Sequence, residues 1–490
     1  LMELLGLLEN IPYQQDTFFD LSQRKVLGIA ESSAKTENGF VFVAIKGTQH
    51  DGHQYIQDAI TRGATAIVGE DEVEQELSVP YLRVENSREV LGRLANNFYH
   101  NPSKSKVMIG VTGTNGKTTT SYLIKHILET NGISCSLIGT IQTIINGKSE
   151  KSINTTPSSL TINQLLAKSE DLVVILEASS HGLSQYRLEG IQFDVCIFLN
   201  LTHDHLDYHK SLEEYFQSKA SLFHKLKNGG IAIINTDDYW GGKLFNQLQG
   251  KVDTFSVGNS DHNDYVIDWT NQLIKSKKNN GENEWEQHKI EFPMAGIHNM
   301  YNASMAFVAA EKLAVTKEQI IAAIENFPGV DGRFEVFKQD NGSTVVIDYA
   351  HTADAIFHCL QTAKSQGAKR IVHIFGFRGN RDETKRKEML QISADLSDQY
   401  ILTLDDLNNV KLKEMLETLE ALQGKFGNDK GVIMPDRTLA IEYAMTNSQS
   451  GDWIIVTGKG HERYQQTFAL PIASDRETVT FLQQQKKMID

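Results

Sequence analysis

The sequence predicts an α/β chain of three domains, and three observations carry that prediction. A short apolar strand, a glycine-rich turn and a helix follow one another between Val107 and Glu129. Short β-type runs recur along the chain, most ending in a polar loop, with helix-length segments between them. The length of 490 residues exceeds what one core organises, and roughly 100–200 residues per domain gives about three. The domains are read as residues 1–103, a small α/β unit; 104–331, built around the glycine-rich turn; and 332–490, a doubly wound Rossmann-like unit.

The first domain carries a strand at Phe40–Ile45, a helix over Gly52–Gly63 and a second strand at Ala66–Val68. Asn101-Pro102-Ser103 reads as a linker. Leu4, Leu5, Leu7 and Leu8 are apolar, but the run is short and lacks the basic flank of a signal peptide.

The second domain opens with Val107-Met108-Ile109, followed by GVTGTNGKTTT at Gly110–Thr120. Tyr122, Leu123, Ile127 and Leu128 then recur at helical spacing. Strand, glycine turn and helix form the setting of a P-loop, in which backbone N–H groups and the helix N-terminus face an anion. Gly113, Thr114, Asn115 and Gly116 would form the cradle, Lys117 would reach the outer phosphates, and Thr118 and Thr119 follow. The hydroxyl of Thr118 is placed for a magnesium ion. Val111 stands where the pattern has its first glycine, so an ordinary strand–helix turn is the alternative. A central P-loop ATPase-type parallel-sheet domain follows, with ATP as the nucleotide, since no NKxD guanine signature appears.

Further strands are expected at Leu172–Leu176, Val195–Leu199 and Ile231–Ile234, and residues 258–290 read as a hairpin or a polar surface excursion. Glu177 ends the first of these strands, and Thr202-His203-Asp204-His205 follows the second. Carboxylates suit Mg2+, and the absence of nearby cysteine argues against zinc for His203, His205 and His209. Lys219 sits in a helical segment over Glu213–Phe223, where most lysines are solvated. In the third domain, strands are expected at Val345–Ile347, Ile371–Phe375, Tyr400–Leu402 and Trp453–Val456. Asp348 ends one of them and could hold a ribose hydroxyl. Gly376, Gly379, Arg381, Asp382, Lys385 and Arg386 crowd one loop, and GKGHE at Gly458–Glu462 marks a close ligand approach.

Bulk properties exclude several classes. A net charge of −14 disfavours nucleic acid and anionic membrane as partners. No apolar stretch is long enough to span a bilayer. Cys135, Cys196 and Cys359 are too few and too scattered for a disulfide framework or a metal cluster, and suit a reducing cytoplasm.

Read together, GTNGKTT, NTTPSS at Asn154–Ser159, EASSHGL at Glu177–Leu183, THDHLDYH at Thr202–His209, GRFE at Gly332–Glu335, DYAHT at Asp348–Thr352 and GKGHE resemble the Mur ligase family over nearly the whole chain. FVAIKGTQHDGHQYI is similar to the uridine-binding domain of the branch that adds the third residue of the peptidoglycan stem peptide. That resemblance implies a cytoplasmic, monomeric, ATP-dependent amide ligase. Its substrates would be UDP-N-acetylmuramoyl-L-alanyl-D-glutamate and an amino acid, joined through an acyl phosphate. It implies catalytic roles for Lys117, Glu177, His205 and Lys219, and two Mg2+ sites drawn from Thr118, Glu177, His205 and a carbamylated Lys219. It further implies nucleotide contacts from Asn299, Asn302, Arg333 and Asp348, the two asparagines in an adenine-side loop. Acceptor contacts would come from Ser32, Thr155, Thr156, Ser180 and Arg187. Amino-acid contacts would come from Arg381, Asp405, Asp406, Asn408, Gly458 and Glu462.

The chain departs from the family pattern at several points. The DSR near the uridine reads Glu31-Ser32-Ser33, DYAHTPD reads DYAHTAD with Ala353, and the GCGGDRD-like loop reads GFRGNRD, with Arg378 and Asn380. The DNPR loop of diaminopimelate-adding members reads Asp405-Asp406-Leu407-Asn408, without its arginine. On that last change the amino acid is expected to be L-lysine rather than meso-diaminopimelate. A divergent paralogue with another amine or acceptor, and a folylpolyglutamate synthetase-type ligase, are the alternative readings.

Overall fold

The computed structural model describes residues 2–16, 18–47, 50–73, 76–277 and 284–489. The chain forms two compact units. The first contains Leu1–Thr112, Gly132–Ile197 and Ser218–Ala232; the second contains Gly113–Asn131, Phe198–Gln217 and Ile233–Asp490.

In the first unit a five-stranded sheet runs in the order Gln14–Gln15, Tyr81–Arg83, Ala66–Gly69, Phe40–Val43, Gly28–Ala30. All neighbours are parallel except the first pair. Phe40–Val43 shows why such a strand is apolar throughout. Val41 and Val43 enter one core with Leu91 and Leu94 of helix Ser87–Phe98. Phe42 enters the opposite core with Ile56 and Ala59 of helix Ile56–Thr61. Alternate residues face opposite sides, and both sides are covered. The expected helix over Gly52–Gly63 begins as a 3-10 turn, Gly52–Tyr55.

The same unit holds Val173–Glu177 between two parallel neighbours, Cys135–Ile138 and Val107–Thr112. The strand begins one residue later than its apolar run suggests. Leu172, at 64% exposure, lies outside it, and its backbone N–H is taken by the Ser134 hydroxyl.

The second unit contains helix Lys117–Thr130, which starts five residues before its apolar periodicity does at Tyr122. Asp253–Gly258 pairs in parallel with Tyr265–Asp268, which continues as an antiparallel meander through Leu273–Lys277 and Trp285–Lys289. Of the two readings of 258–290, the hairpin is the one the antiparallel strands match, anchored by buried Tyr265, Val266, Ile267 and Ile274. Residues 278–283 of that stretch lie outside the described residues.

A six-stranded sheet completes the unit, in the order Glu335–Lys338, Thr344–Asp348, Asp452–Thr457, Arg370–Phe375, Gln399–Leu402, Gly431–Ile433. Only the first pair is antiparallel. Val346 joins the core on one face of this sheet, and Val345 and Ile347 join the core on the other. In such a sheet ligands gather beyond the carboxyl ends of the strands, and Tyr349, Phe377-Arg378, Leu404-Asp405 and Gly458 all follow such ends. No helix is long and apolar enough to cross a membrane among the described residues.

Candidate active site

In the second unit the glycine-rich turn is built as the sequence suggests. Gly116 has φ +87°, and a Cβ there would collide with the side-chain oxygen of Asn302. Glycine is therefore required on both backbone and steric grounds. Asn115 N–H donates to Asn200 Oδ1 at 2.9 Å, Asn200 Nδ2 returns a bond to Asn115 O at 3.1 Å, and Thr114 N–H reaches Asn200 O at 3.0 Å. Lys117 Nζ donates to the carbonyls of Gly113 and Thr114 at 2.8 and 3.1 Å, which curls it over the turn. Thr118, in the first turn of the helix, accepts from Arg333 Nη2 at 3.2 Å; Thr119 is buried beside it. The arrangement offers backbone N–H groups, a helix N-terminus, Lys117 and Arg333 to an anion.

Asn299 and Asn302 do not lie in a loop. They occupy the first turns of helix Ile297–Lys312, both buried. Asn299 Nδ2 donates to Ala295 O at 2.8 Å, while Asn302 accepts from Thr120 Oγ1 at 3.3 Å and donates to Asn299 Oδ1 at 3.2 Å. Asn302, braced by Asn299, fastens this helix to the one that carries Lys117. Asp348 also has a backbone role: its carboxylate accepts from Phe334 N–H and Ala350 N–H, each at 2.7 Å. Burial pushes its carboxyl up, with Arg333 the main opposing influence.

His205 has φ +55°, and its Nε2 lies 3.3 Å from Asp204 Oδ2. Asp204 itself is buried, 2.7 Å from Lys385 Nζ and 3.5 Å from His351 Nε2. Burial opposes its ionisation, but His205, His351 and Lys385 outweigh burial and hold the carboxyl well below the usual range. Asp382, from the same loop as Lys385, accepts the N–H of Leu206 at 2.9 Å. The loop is therefore a structural brace. Arg381 is exposed, and its charge acts on Asp207.

In the first unit, Glu177 is fully buried at the end of its strand and accepts from Thr140 Oγ1 at 2.6 Å. Thr140 lies 3.2 Å from Thr155 Oγ1. Thr156 Oγ1 donates to Glu177 O at 2.8 Å, and Arg187 Nη1 to Thr156 O at 2.7 Å. Ser180 is buried, and its carbonyl accepts from Ser218 Oγ at 2.9 Å. The structure thus joins Thr155, Thr156, Glu177 and Arg187 in one network. Ser32 precedes the 3-10 turn Ser33–Lys35, and its neighbour Glu31 accepts from Ser158 Oγ at 2.5 Å. Lys219 is only 1% exposed, against the solvated position expected of a helix lysine.

One close trio of potential ligand groups occurs among the described residues, Asp51, His53 and Asp71. His53 is already committed there: Nδ1 lies 2.7 Å from Asp51 and Nε2 accepts from Glu70 N–H at 2.9 Å. The trio is a turn clasp.

The richest charge cluster lies at the strand ends of the six-stranded sheet. Asp405 and Asp406 are buried. Lys459, 1% exposed, is 2.6 Å from Asp406, 3.6 Å from Glu462 and 4.0 Å from Asp405. Arg378 lies 2.6 Å from Glu462 and 3.7 Å from Asp405. Gly458, at φ +109°, brings backbone against Asp405. Asn408, at φ +46°, spends its amide on Gly379 O at 2.9 Å and its oxygen on Gln465 Nε2 at 3.1 Å. Behind the cluster Arg437 and Asp475, both with fully buried side chains, pair at 2.7 Å, and Arg437 Nη2 also holds Thr457 O at 2.8 Å. Lys459 stood inside a noted motif and Arg378 at a noted departure. Arg437 and Asp475 carried no local signal, because their pairing spans 38 residues of sequence.

Three family models match the chain: the Mur ligase family catalytic domain at residues 25–99, the Mur ligase middle domain at 111–310, and the Mur ligase glutamate ligase domain at 332–460. Among similar proteins, the UDP-N-acetylmuramoyl-L-alanyl-D-glutamate--2,6-diaminopimelate ligase of Fusobacterium nucleatum is 37% identical, covering 90% of each chain. The protein of that name from Aquifex aeolicus is 38% identical, covering 92% of each chain. A solved structure of a ligase with the same name is 27% identical, with a TM-score of 0.66 over 96% of this chain and 97% of its own.

Proposed function

The chain belongs to the Mur ligase family of ATP-dependent ligases, and from that premise we propose that it joins meso-diaminopimelate to UDP-N-acetylmuramoyl-L-alanyl-D-glutamate in peptidoglycan synthesis. The observation that carries this is the coexistence of an anion-binding turn at Gly113–Thr118 and a buried mixed-charge cluster at Asp405, Asp406, Lys459 and Glu462. The first suits a nucleotide triphosphate and the second a zwitterionic amino acid. We take the acceptor to be bound around Thr155, Thr156, Ser180 and Arg187, with Ser32 toward the uridine.

A carboxylate is a poor electrophile. Transfer of the γ-phosphoryl group from ATP to the acceptor's glutamate carboxylate creates a leaving group, and the incoming amine then displaces phosphate. In this proposal Lys117 and Arg333 offset charge on the transferring phosphoryl group. Thr118 in the second unit and Glu177 in the first offer oxygen donors of the kind that suits Mg2+, a hard cation, and Mg2+ held by such groups would neutralise phosphate charge; His205, a nitrogen donor, is kept as a ligand on the resemblance alone. Lys219 is proposed as a carbamate on the resemblance, formed by adding CO2 to the neutral amine with loss of a proton. We infer domain divisions near 103 and 331, a monomer, and a cytoplasmic location.

The choice of amine revises the expectation of L-lysine. That expectation rested on Asn408 in place of arginine, whereas the relatives above carry diaminopimelate in their names. The test is phosphate release from ATP with the UDP-linked dipeptide and each amine. Release should require acceptor and meso-diaminopimelate together, and Lys117→Ala should abolish it while the circular dichroism spectrum stays unchanged. A Lys117→Ala variant that turns over at the wild-type rate would refute the nucleotide assignment.

A further inference from the structure

Arg378 holds an unusual position in the charge cluster. Its Nη2 donates to Glu462 Oε2 at 2.6 Å and to Gly458 O at 2.7 Å. Its Nη1 is 3.5 Å from the Tyr349 hydroxyl, and the guanidinium lies 5.3 Å from the Tyr349 ring centroid. Nε is buried and makes no hydrogen bond; its closest carboxylate, Asp405, stands 3.7 Å away. Two cations face three carboxylates here, so the cluster keeps one negative charge. Lys459 is almost wholly buried and committed to Asp406. Arg378 is 18% exposed and Glu462 28%. This pair therefore forms the accessible edge of the cluster, one end cationic, the other anionic.

Such an edge fits an ammonium and a carboxylate on one carbon, the head of an α-amino acid. The head bound there cannot be the reacting one, because an ammonium paired with Glu462 has no lone pair to attack an acyl phosphate. A diamino dicarboxylic acid keeps a complete second head at its non-reacting end. Lysine has an ammonium there and no carboxylate. Resting on the function proposed above, we propose that Arg378 is the specificity-determining residue that reads the distal carboxylate of the incoming amino acid, with Glu462 taking the ammonium beside it. Planar, paired N–H donors suit a carboxylate, and lysine is a poor substitute in that role.

The test uses the full-length protein with ATP, Mg2+ and the UDP-linked dipeptide, comparing meso-diaminopimelate with L-lysine. Arg378→Met should lower kcat/KM for diaminopimelate by about 10–100-fold, chiefly through KM, the value of one charge-assisted contact. The lysine value should stay within about 3-fold, since no distal carboxylate is lost. Arg378→Lys should recover part of the diaminopimelate loss by restoring the charge without the fork. An equal loss for both amines, or an unchanged diaminopimelate value, would overturn the assignment. If the wild type releases phosphate with neither amine, the function proposed above fails, and thermal shift then decides for Arg378. Millimolar meso-diaminopimelate that raises the wild-type Tm, but not that of Arg378→Met, sustains the assignment. No wild-type shift refutes it.

Discussion

Arg437→Met should destabilise the six-stranded sheet by about 3–5 kcal/mol, the cost of leaving one member of a buried ion pair behind. The side chain donates from Nε and Nη2 to the two oxygens of Asp475 at 2.7 and 2.8 Å and from Nη2 to Thr457 O at 2.8 Å. Methionine keeps most of the volume and loses all three bonds. Asp475 then retains the Tyr464 hydroxyl, 2.8 Å away, as a donor, with no cation in contact. Thr457 immediately precedes Gly458, so the turn that carries Lys459 and Glu462 loses its anchor as well. Native-state hydrogen exchange at the amides of Asp452–Thr457 reads opening of this sheet by itself. A loss of protection below about 1 kcal/mol, the worth of an exposed ion pair, would refute the view that this pair holds the turn.

Two further outcomes are expected. Lys219→Ala should lose most of the ligase activity and regain part of it with added short-chain carboxylates that stand in for the carbamate; full activity without them would make Lys219 a packing residue. Burial works against ionisation of Asp405, yet Arg378, Arg437 and Lys459 hold its carboxyl below the usual range. Such a group stabilises the fold above its unfolded pKa of about 3.9, and that contribution is lost as pH falls through the lower folded value. Arg378→Met removes the strongest of the three cations and should move the acid-unfolding midpoint to higher pH by circular dichroism. An unmoved midpoint would exclude the coupling.

The sequence made some of this legible and hid the rest for identifiable reasons. Val345–Ile347 and Trp453–Val456 were readable as strands because a sheet covered on both faces demands apolar residues at every position. The turn at Gly116 was readable because φ, sterics and anion binding all ask for the same residue. Lys219 was not, since burial of a helix lysine depends on what packs over it. Asn299 and Asn302 were expected in a loop, whereas both lie in the first turns of a helix, and Asn302 reaches across to Thr120. Asp204 stood out beside His205, but its partners, His351 and Lys385, are more than 140 residues away, and no local pattern announces a pairing at that distance.

The strand Asp452–Thr457 lies between Thr344–Asp348 and Arg370–Phe375, although it is the last of the sheet's six strands along the chain. Domains form in the order in which a ribosome delivers them, and here the middle of the sheet is delivered last. Until residue 457 emerges, Thr344–Asp348 and Arg370–Phe375 have the edges they share with it unpaired, and such edges invite pairing with other chains. The nascent protein therefore carries an open sheet through the synthesis of the intervening helices. The strand that closes the sheet is also the one that brings in Gly458–Glu462. Burial of that edge and arrival of Lys459 and Glu462 in the charge cluster are a single event in the life of the chain.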